Sequence, residues 1–372
     1  MDIDEQYMRR ALALAGRGLG LVNPNPLVGA LIVKNGNILA EGWHRRFGEL
    51  HAEREALAAC SPGQAKGAHM YVTLEPCCHY GKTPPCIDAI LKAGISCVVV
   101  GCQDPNPAVS GRGIARLRSA GVEVLVGVLE DECRELNRPF FHYISTGLPY
   151  FVMKYAMTLD GRIATAAGSS RWITGEAARL RTHRDRWRYA AIMVGVGTAI
   201  ADDPMLTCRI PGGRNPIRIV CDTWLRLPMA SHLVQSARDV PLIIATASED
   251  NDLIKRYESL GCEFYKIQQQ VQGGGIDLRA LVERLGARGI DSVLLEGGAV
   301  LNWAALKAGI VSRVQAYVAP KFFGGAGAFP PILGEGILNV EDAFRLENMQ
   351  VSGVGEDILI EADLIKPDLI KQ

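Results

Sequence analysis

Three residues far apart in the chain, His51, Cys77 and Cys86, must meet in space if they do what their types imply. That requirement constrains the fold more than any other feature. His51 opens the run His51-Ala52-Glu53, Cys77 closes Glu75-Pro76-Cys77, and Cys86 follows after eight further residues. One imidazole and two thiolates form a three-ligand zinc site, and the open fourth position holds water, as a catalytic zinc needs. Glu53, two residues past the histidine, is placed to move protons on that water. From the middle of a helix His51 and Glu53 would face different ways, so they serve one metal only from a helix entrance. Cys86 follows Pro84-Pro85, a good helix start, and a helix N-terminus favours a thiolate. The alternative is a closed structural zinc, which needs a fourth protein ligand. Cys78 and His79 are near enough in sequence to supply one.

The bulk numbers narrow what such a site can act on. Lys plus Arg is 40 and Asp plus Glu is 40, a net charge of zero. A nucleic-acid protein usually carries a basic excess, so the balance favours a small substrate and no nucleic acid. Ten cysteines at irregular spacing, several inside apolar runs, are not a secreted disulfide framework. The acidic start lacks the pattern of a secretory signal, and no apolar run approaches the roughly 18 residues of a membrane-spanning helix. The expectation is a cytoplasmic enzyme without a membrane partner.

Length predicts two domains, or three. Residues 5–16 have helical spacing, and Asn35-Gly36 between apolar runs at 28–33 and 38–42 marks a hairpin. Helices are expected at 51–60, 86–92 and 113–120, and strands at 70–74, 96–101 and 122–126. This alternation implies a sheet with helices on its faces. A break is expected at 137–147, with domains 1–147 and 148–372. Further strands are expected at 150–155, 191–195, 217–222, 242–246, 292–296 and 313–318. The second half has no Gly-x-Gly-x-x-Gly at the dinucleotide spacing. Gly195-Val196-Gly197-Thr198 and Gly297-Gly298 each follow a strand, and such turns can hold a phosphate on backbone N–H groups.

His51-Ala52-Glu53 and the run from Val72 through Glu75-Pro76-Cys77 to Thr83-Pro84-Pro85-Cys86 resemble the bifunctional riboflavin-biosynthesis deaminase/reductase family. Asn25 in Pro24-Asn25-Pro26, Gln103-Asp104-Pro105-Asn106-Pro107, Gly111-Arg112-Gly113-Ile114-Ala115, Leu159-Asp160-Gly161-Arg162 and Ala201-Asp202-Asp203-Pro204 extend the likeness to nearly the whole chain. The sequence departs at Cys78, where the family commonly has serine. The resemblance implies an α/β chain: an N-terminal cytidine-deaminase-like three-layer α/β/α domain and a C-terminal dihydrofolate-reductase-like α/β domain. It implies hydrolytic deamination of a diamino-ribosylamino-pyrimidinone 5′-phosphate, then NADPH-dependent reduction of the ribosyl to a ribityl chain. The partners implied are pyrimidine ribonucleotides and further copies of the chain, in a dimer or larger homo-oligomer.

The resemblance assigns zinc (Zn2+) to His51, Cys77 and Cys86, the proton shuttle to Glu53, and deaminase substrate contacts to Asn25, His44 and Lys82. An amide such as Asn25 can read a pyrimidine edge, and Lys82 can meet a phosphate as a point charge. His44 can equally be a hydrogen-bonded structural histidine. Cofactor contacts fall to Ala156, Trp172, Thr198, Asp202, Gly297, Gly298, Ala299, Val300 and Leu301. Reductase substrate contacts fall to Ser170, Arg186, Leu206, Arg209 and Glu296, with the arginines suited to a phosphate. Lys154 and Asp160 are expected to assist hydride transfer, or else to form a surface ion pair. Two rival readings stand: a nucleic-acid deaminase with an accessory domain, and a non-catalytic zinc-stabilised binding protein.

Overall fold

A computed structural model describes residues 2–78, 84–106, 109–270, 274–325 and 327–365. The chain divides into two units, Met1–Gly147 and Leu148–Gln372.

In the first unit, α1 (Ile3–Ala15) precedes the hairpin β1 (Gly29–Lys34) and β2 (Asn37–Trp43). Then follow α2 (Ala52–Ala58), β3 (His69–Leu74), α3 (Cys86–Ala93), β4 (Cys97–Cys102), α4 (Arg112–Ser119), β5 (Glu123–Val126), α5 (Glu130–Leu136) and α6 (Arg138–Thr146). The sheet order is β2-β1-β3-β4-β5; β1 runs antiparallel to β2 and β3, while β3, β4 and β5 are parallel. Asn35 and Gly36 both have positive φ, the conformation of a tight hairpin turn.

Helices cover both faces, and two glycines mark where they press closest. A Cβ on Gly29 would lie 2.0 Å from the Ala11 carbonyl oxygen of α1, and one on Gly42 would lie 2.3 Å from the Ala52 oxygen at the start of α2. Gly42 pairs with Ala30, the next residue along from Gly29, so the two glycines face opposite sides of the pleat. Every residue of β4 is buried, as a strand sandwiched between helix layers requires.

The expected break at 137–147 is instead α6. Asn137 precedes it, with Pro139 in its first turn, and the aromatic run is its inner face: Phe140 joins the core, with Phe141 and Ile144 packed against it.

The second unit runs β6 (Tyr150–Thr158), α7 (Glu176–Arg188), β7 (Ala191–Gly195), α8 (Val196–Asp202), β8 (Ile217–Cys221), α9 (His232–Gln235), β9 (Leu242–Thr246) and α10 (Asn251–Ser259). It continues with β10 (Glu263–Lys266), α11 (Leu278–Ala287), β11 (Ser292–Leu295), α12 (Ala299–Lys307), β12 (Val311–Ala319), β13 (Leu346–Val354) and β14 (Asp357–Leu364). The sheet order is β10-β9-β8-β7-β11-β6-β12-β14-β13. All strands from β10 to β12 pair in parallel, and β14 and β13 add an antiparallel edge. Strand β11 lies between β7 and β6, so the chain changes winding direction there. Ligands of open α/β sheets bind beyond the carboxyl ends of strands at such a point.

Candidate functional site

The carboxyl end of β3 and the first turns of α2 and α3 converge in the first unit. His51 is the N-cap of α2, with extended backbone (φ −75°, ψ 160°), and Glu53 is the second residue of that helix. Cys86 opens α3 behind Pro85. The His51 Nδ1 atom lies 3.6 Å from Cys77 Sγ and 3.4 Å from Cys86 Sγ. Zinc ligands at about 2.3 Å (sulfur) and about 2.0–2.1 Å (nitrogen), subtending a tetrahedral angle, stand about 3.5 Å apart. The triangle therefore fits zinc. Among the described residues it is the one group of three or more potential ligands drawn together in this way. Cys78 is outside it; His79 lies outside the described residues.

The two thiols share their proton unequally. A hydrogen bond from Cys86, together with His51, lowers Cys77 to about 4, and its partnership with Cys77 and burial push Cys86 well up. The backbone N–H of Cys86 also donates to Cys77 Sγ at 3.3 Å. Glu53 is 3% exposed, and burial raises its carboxyl above the usual range, the Cys77 charge adding to the effect. A carboxyl so placed can both accept and return a proton.

Glu53, His51, Cys77, Asn25 and His44 line a cavity of about 300 Å³. His44 Nδ1 lies 3.0 Å from the Leu50 carbonyl and its Nε2 lies 3.1 Å from Asn25 Nδ2. The carbonyl can only accept, so Nδ1 carries the proton and Nε2 accepts from the Asn25 amide. Burial lowers the His44 pKa, which favours this neutral form. The Asn25 carbonyl oxygen is thereby left for a ligand. Lys82 lies outside the described residues. Asp104, Asn106 and Val109 also line the cavity; the sequence reading gave the segment holding Asp104 and Asn106 no role.

In the second unit a cleft of about 880 Å³ opens beyond the ends of β6, β7 and β11. It is lined by Ala156, Trp172, Thr198, Asp202, Gly297, Gly298, Ala299, Val300 and Leu301, and by Lys154, Ser170, Arg186, Leu206, Arg209 and Glu296. Arg171, Asp203 and His232 line it as well, though the sequence reading assigned none of them a role. Gly195 and Gly298 are the N-caps of α8 and α12, and neither helix has a side-chain cap. Both glycine turns singled out in the sequence thus open on one cleft, with backbone N–H groups available for phosphate. Ser170 Oγ donates to Asp202 at 3.1 Å. Trp172 is 61% exposed, and the Arg179 guanidinium lies over its ring, 4.9 Å from the centroid.

Asp160 and Arg186 have partners that the sequence did not suggest. Asp160 is absent from the cleft lining; its carboxylate accepts from Thr158 Oγ1 at 2.5 Å and from the N–H groups of Phe323 and Gly324. These bonds, the Thr158 hydroxyl first, lower it to about 2. It anchors a turn and forms no pair with Lys154. Arg186, expected as a substrate contact suited to a phosphate, lines the cleft and forms a bidentate pair with Glu296 at 2.8 and 2.9 Å, with both side chains nearly buried, and donates to the Thr207 carbonyl. Burial would raise Glu296, but Arg186 and then Lys154 override it and hold the carboxylate at about 2. Burial lowers the Lys154 ammonium against the pull of Glu296.

Beside this pair on α7, Asp185 is buried and its Oδ2 has no hydrogen-bond partner among the described residues. Burial raises it to about 7, against the pull of Arg188 and Arg181. A raised carboxyl means the folded chain holds a proton that the unfolded chain releases above its ordinary value near 4, so stability falls as pH rises from about 4 to 7. The loss is at most roughly 4 kcal/mol. Asp185→Asn is expected to remove this fall, giving a gain in urea resistance at pH 8 that is nearly absent at pH 4. An equal effect at both pH values would show that Asp185 is ionised throughout.

Residues 1–102 match the cytidine and deoxycytidylate deaminase zinc-binding region, and residues 149–360 match the RibD C-terminal domain. Riboflavin biosynthesis protein RibD of Actinobacillus pleuropneumoniae is 52% identical over 364 residues, covering 98% of this chain and 96% of that one. The chain belongs to the RibD family. The RibD of Escherichia coli K12 is 39% identical over 374 residues, with 96% of this chain and 98% of that one covered. Among solved structures, Acinetobacter baumannii RibD matches with a TM-score of 0.86 at 36% identity, over 97% of this chain and 99% of that one. A Thermotoga maritima diaminohydroxyphosphoribosylaminopyrimidine deaminase/5-amino-6-(5-phosphoribosylamino)uracil reductase matches with a TM-score of 0.83, also at 36% identity and over the same shares. The chain is accordingly a bifunctional riboflavin-biosynthesis enzyme, a deaminase followed by a reductase, that acts on small pyrimidines with zinc and a nicotinamide cofactor. The two-domain α/β fold expected from sequence is the fold found.

Proposed function

We propose that residues 1–147 deaminate 2,5-diamino-6-ribosylamino-4(3H)-pyrimidinone 5′-phosphate and that residues 148–372 reduce the product with NADPH to 5-amino-6-ribitylaminouracil 5′-phosphate. The observation that carries this reading is the zinc-sized triangle of His51, Cys77 and Cys86, with buried Glu53 beside it in a cavity that suits one pyrimidine ring. Bound zinc would supply Lewis acidity that makes water a nucleophile near neutral pH. Glu53 takes one proton from the attacking water and gives it to the ring nitrogen, then takes the second from the resulting hydroxyl and gives it to the departing amine, which leaves as ammonia. Asn25, oriented by His44, accepts from the pyrimidine edge, and Lys82 meets the phosphate.

In the reductase, NADPH would supply the hydride to the sugar carbon. Trp172 and Ala156 flank the cofactor, while Thr198, Asp202, Gly297, Gly298, Ala299, Val300 and Leu301 cradle its phosphates and ribose. Arg171, a cationic side chain of the cleft, supports the phosphorylated form over NADH. Ser170, Leu206 and Arg209 hold the substrate; Arg209 takes its phosphate, because Arg186 is committed to Glu296. Lys154, acidified by burial, holds the proton nearest the sugar. Zinc near one per chain, with ammonia released from the diaminopyrimidine in the absence of NADPH, is the expected result; ammonia release from metal-free protein would contradict it.

The same reading includes a cytoplasmic location and a homo-oligomer. No helix among the described residues is long and apolar enough to cross a membrane. At the sheet edge, Met349 and Val351 on β13 are more than 60% exposed, and nearby Leu338 and Val340 are 90% exposed or more. An apolar edge of this kind calls for a covering surface. Light scattering is expected to give at least twice the 40.3 kDa chain mass, and Met349→Lys with Val351→Lys to reduce it to one chain. A monomeric parent protein would contradict this.

A further inference from the structure

Glu75 stands two residues before the ligand Cys77 and is 3% exposed. Among the described residues no cation pairs with it; backbone N–H groups surround it. One carboxylate oxygen accepts from Asp104 at 3.3 Å and Gly111 at 3.0 Å, and the other from Gly113 at 2.9 Å and Ile114 at 3.2 Å. Two of these donors belong to the first turn of α4, whose N-terminus favours a negative charge. A carboxylate has about four lone-pair sites, and here each takes one donor.

The donors come from both ends of the segment between β4 and α4. Asp104, Asn106 and Val109 within that segment line the cavity that holds His51, Glu53 and Cys77. Two glycines make the arrangement possible. Gly111 has φ +70°, and a Cβ on Gly113 would lie 2.4 Å from the Pro76 carbonyl oxygen, inside any tolerable contact. The first turn of α4 therefore rests on the peptide that leads into the metal ligand.

We infer that Glu75 is a positioning residue of the deaminase. It fastens residues 104–106 and 109–114 to the ligand-bearing end of β3, and so fixes one wall of the pyrimidine cavity relative to the metal. The inference rests on the deaminase reading above. It assigns Glu75 to substrate binding through the wall it holds, not to metal ligation and not to proton transfer.

The test uses the full-length zinc-loaded protein. Glu75→Gln keeps the volume but replaces one acceptor oxygen with a donor facing two N–H groups. Gly113→Ala displaces the same turn without touching Glu75. Both variants are expected to raise the deaminase KM for the diaminopyrimidine phosphate tenfold or more, with kcat within about threefold of the parent, zinc still near one per chain, and reduction of the deaminated substrate unchanged. An unchanged KM in either variant overturns the inference. So does a fall in kcat at constant KM, or loss of zinc, either of which would make Glu75 part of the metal centre or a general support of the fold. If the parent protein itself releases no ammonia, the deaminase reading has failed instead.

Discussion

Glu53→Gln is expected to lower deaminase turnover by about a hundred- to ten-thousand-fold, the range a positioned acid–base group contributes, while zinc content and reduction of pre-deaminated substrate stay at parent levels. Glutamine fills the same volume at the second position of α2, so the ligand triangle keeps its shape. What it removes is the proton carrier between water, ring nitrogen and leaving ammonia. Glu53 is suited to that exchange because burial raises its carboxyl, so protonated and ionised forms are closer in free energy than on an exposed glutamate. Ammonia release and NADPH oxidation followed separately check this. Unchanged ammonia release would remove Glu53 from the chemistry and favour a zinc that only stabilises the fold.

Glu296→Gln is expected to destabilise the second unit by about 3–5 kcal/mol, the usual cost of leaving a buried charge uncompensated, and to abolish reduction. The substitution strands two cations, Arg186, which loses a bidentate partner, and Lys154, whose ammonium depends on the same carboxylate. The stabilisation is itself pH-dependent. Glu296 has a folded value of about 2, below its unfolded value near 4.5, so the contribution is fully present above about pH 4.5 and is lost as pH falls toward 2. Urea unfolding at pH 7 and pH 3 checks both statements; the parent and the variant should differ less at pH 3. Parent-like stability at pH 7 would show that Arg186 finds another acceptor.

The metal centre was legible because it is built from a few scarce residue types at helix entrances, where local sequence fixes direction. Strands β7 and β9 fall at the predicted residues because they are buried apolar runs bounded by turns. The short strand β10 and the exposed strand β13 carry too little apolar pattern to stand out, and β14 alternates only in part. The helix α6 was hidden by its proline and its four consecutive ring-bearing residues, which read as punctuation although Phe140, Phe141 and Ile144 are its packing face. The pairing that redefines Arg186 spans 110 residues, and no local signal reveals such a partner. Asp160 was expected to assist hydride transfer, with an ion pair to Lys154 as the alternative, because both lie near the first strand of the second half; the fold turns it toward the backbone N–H groups of Phe323 and Gly324. Glu75 looked like part of a metal motif, and its function is visible only through the four donors that α4 and the preceding segment bring to it.

The central claim is that two different sites on this chain act in sequence. The most direct test supplies the undeaminated pyrimidine phosphate as sole substrate and follows NADPH oxidation by zinc-loaded and zinc-stripped protein. Oxidation is expected with zinc and not without it, because the reductase waits for the deaminated product. Oxidation at the same rate by zinc-stripped protein would contradict the claim, since the reductase would then accept the undeaminated compound and the two reactions would not be ordered.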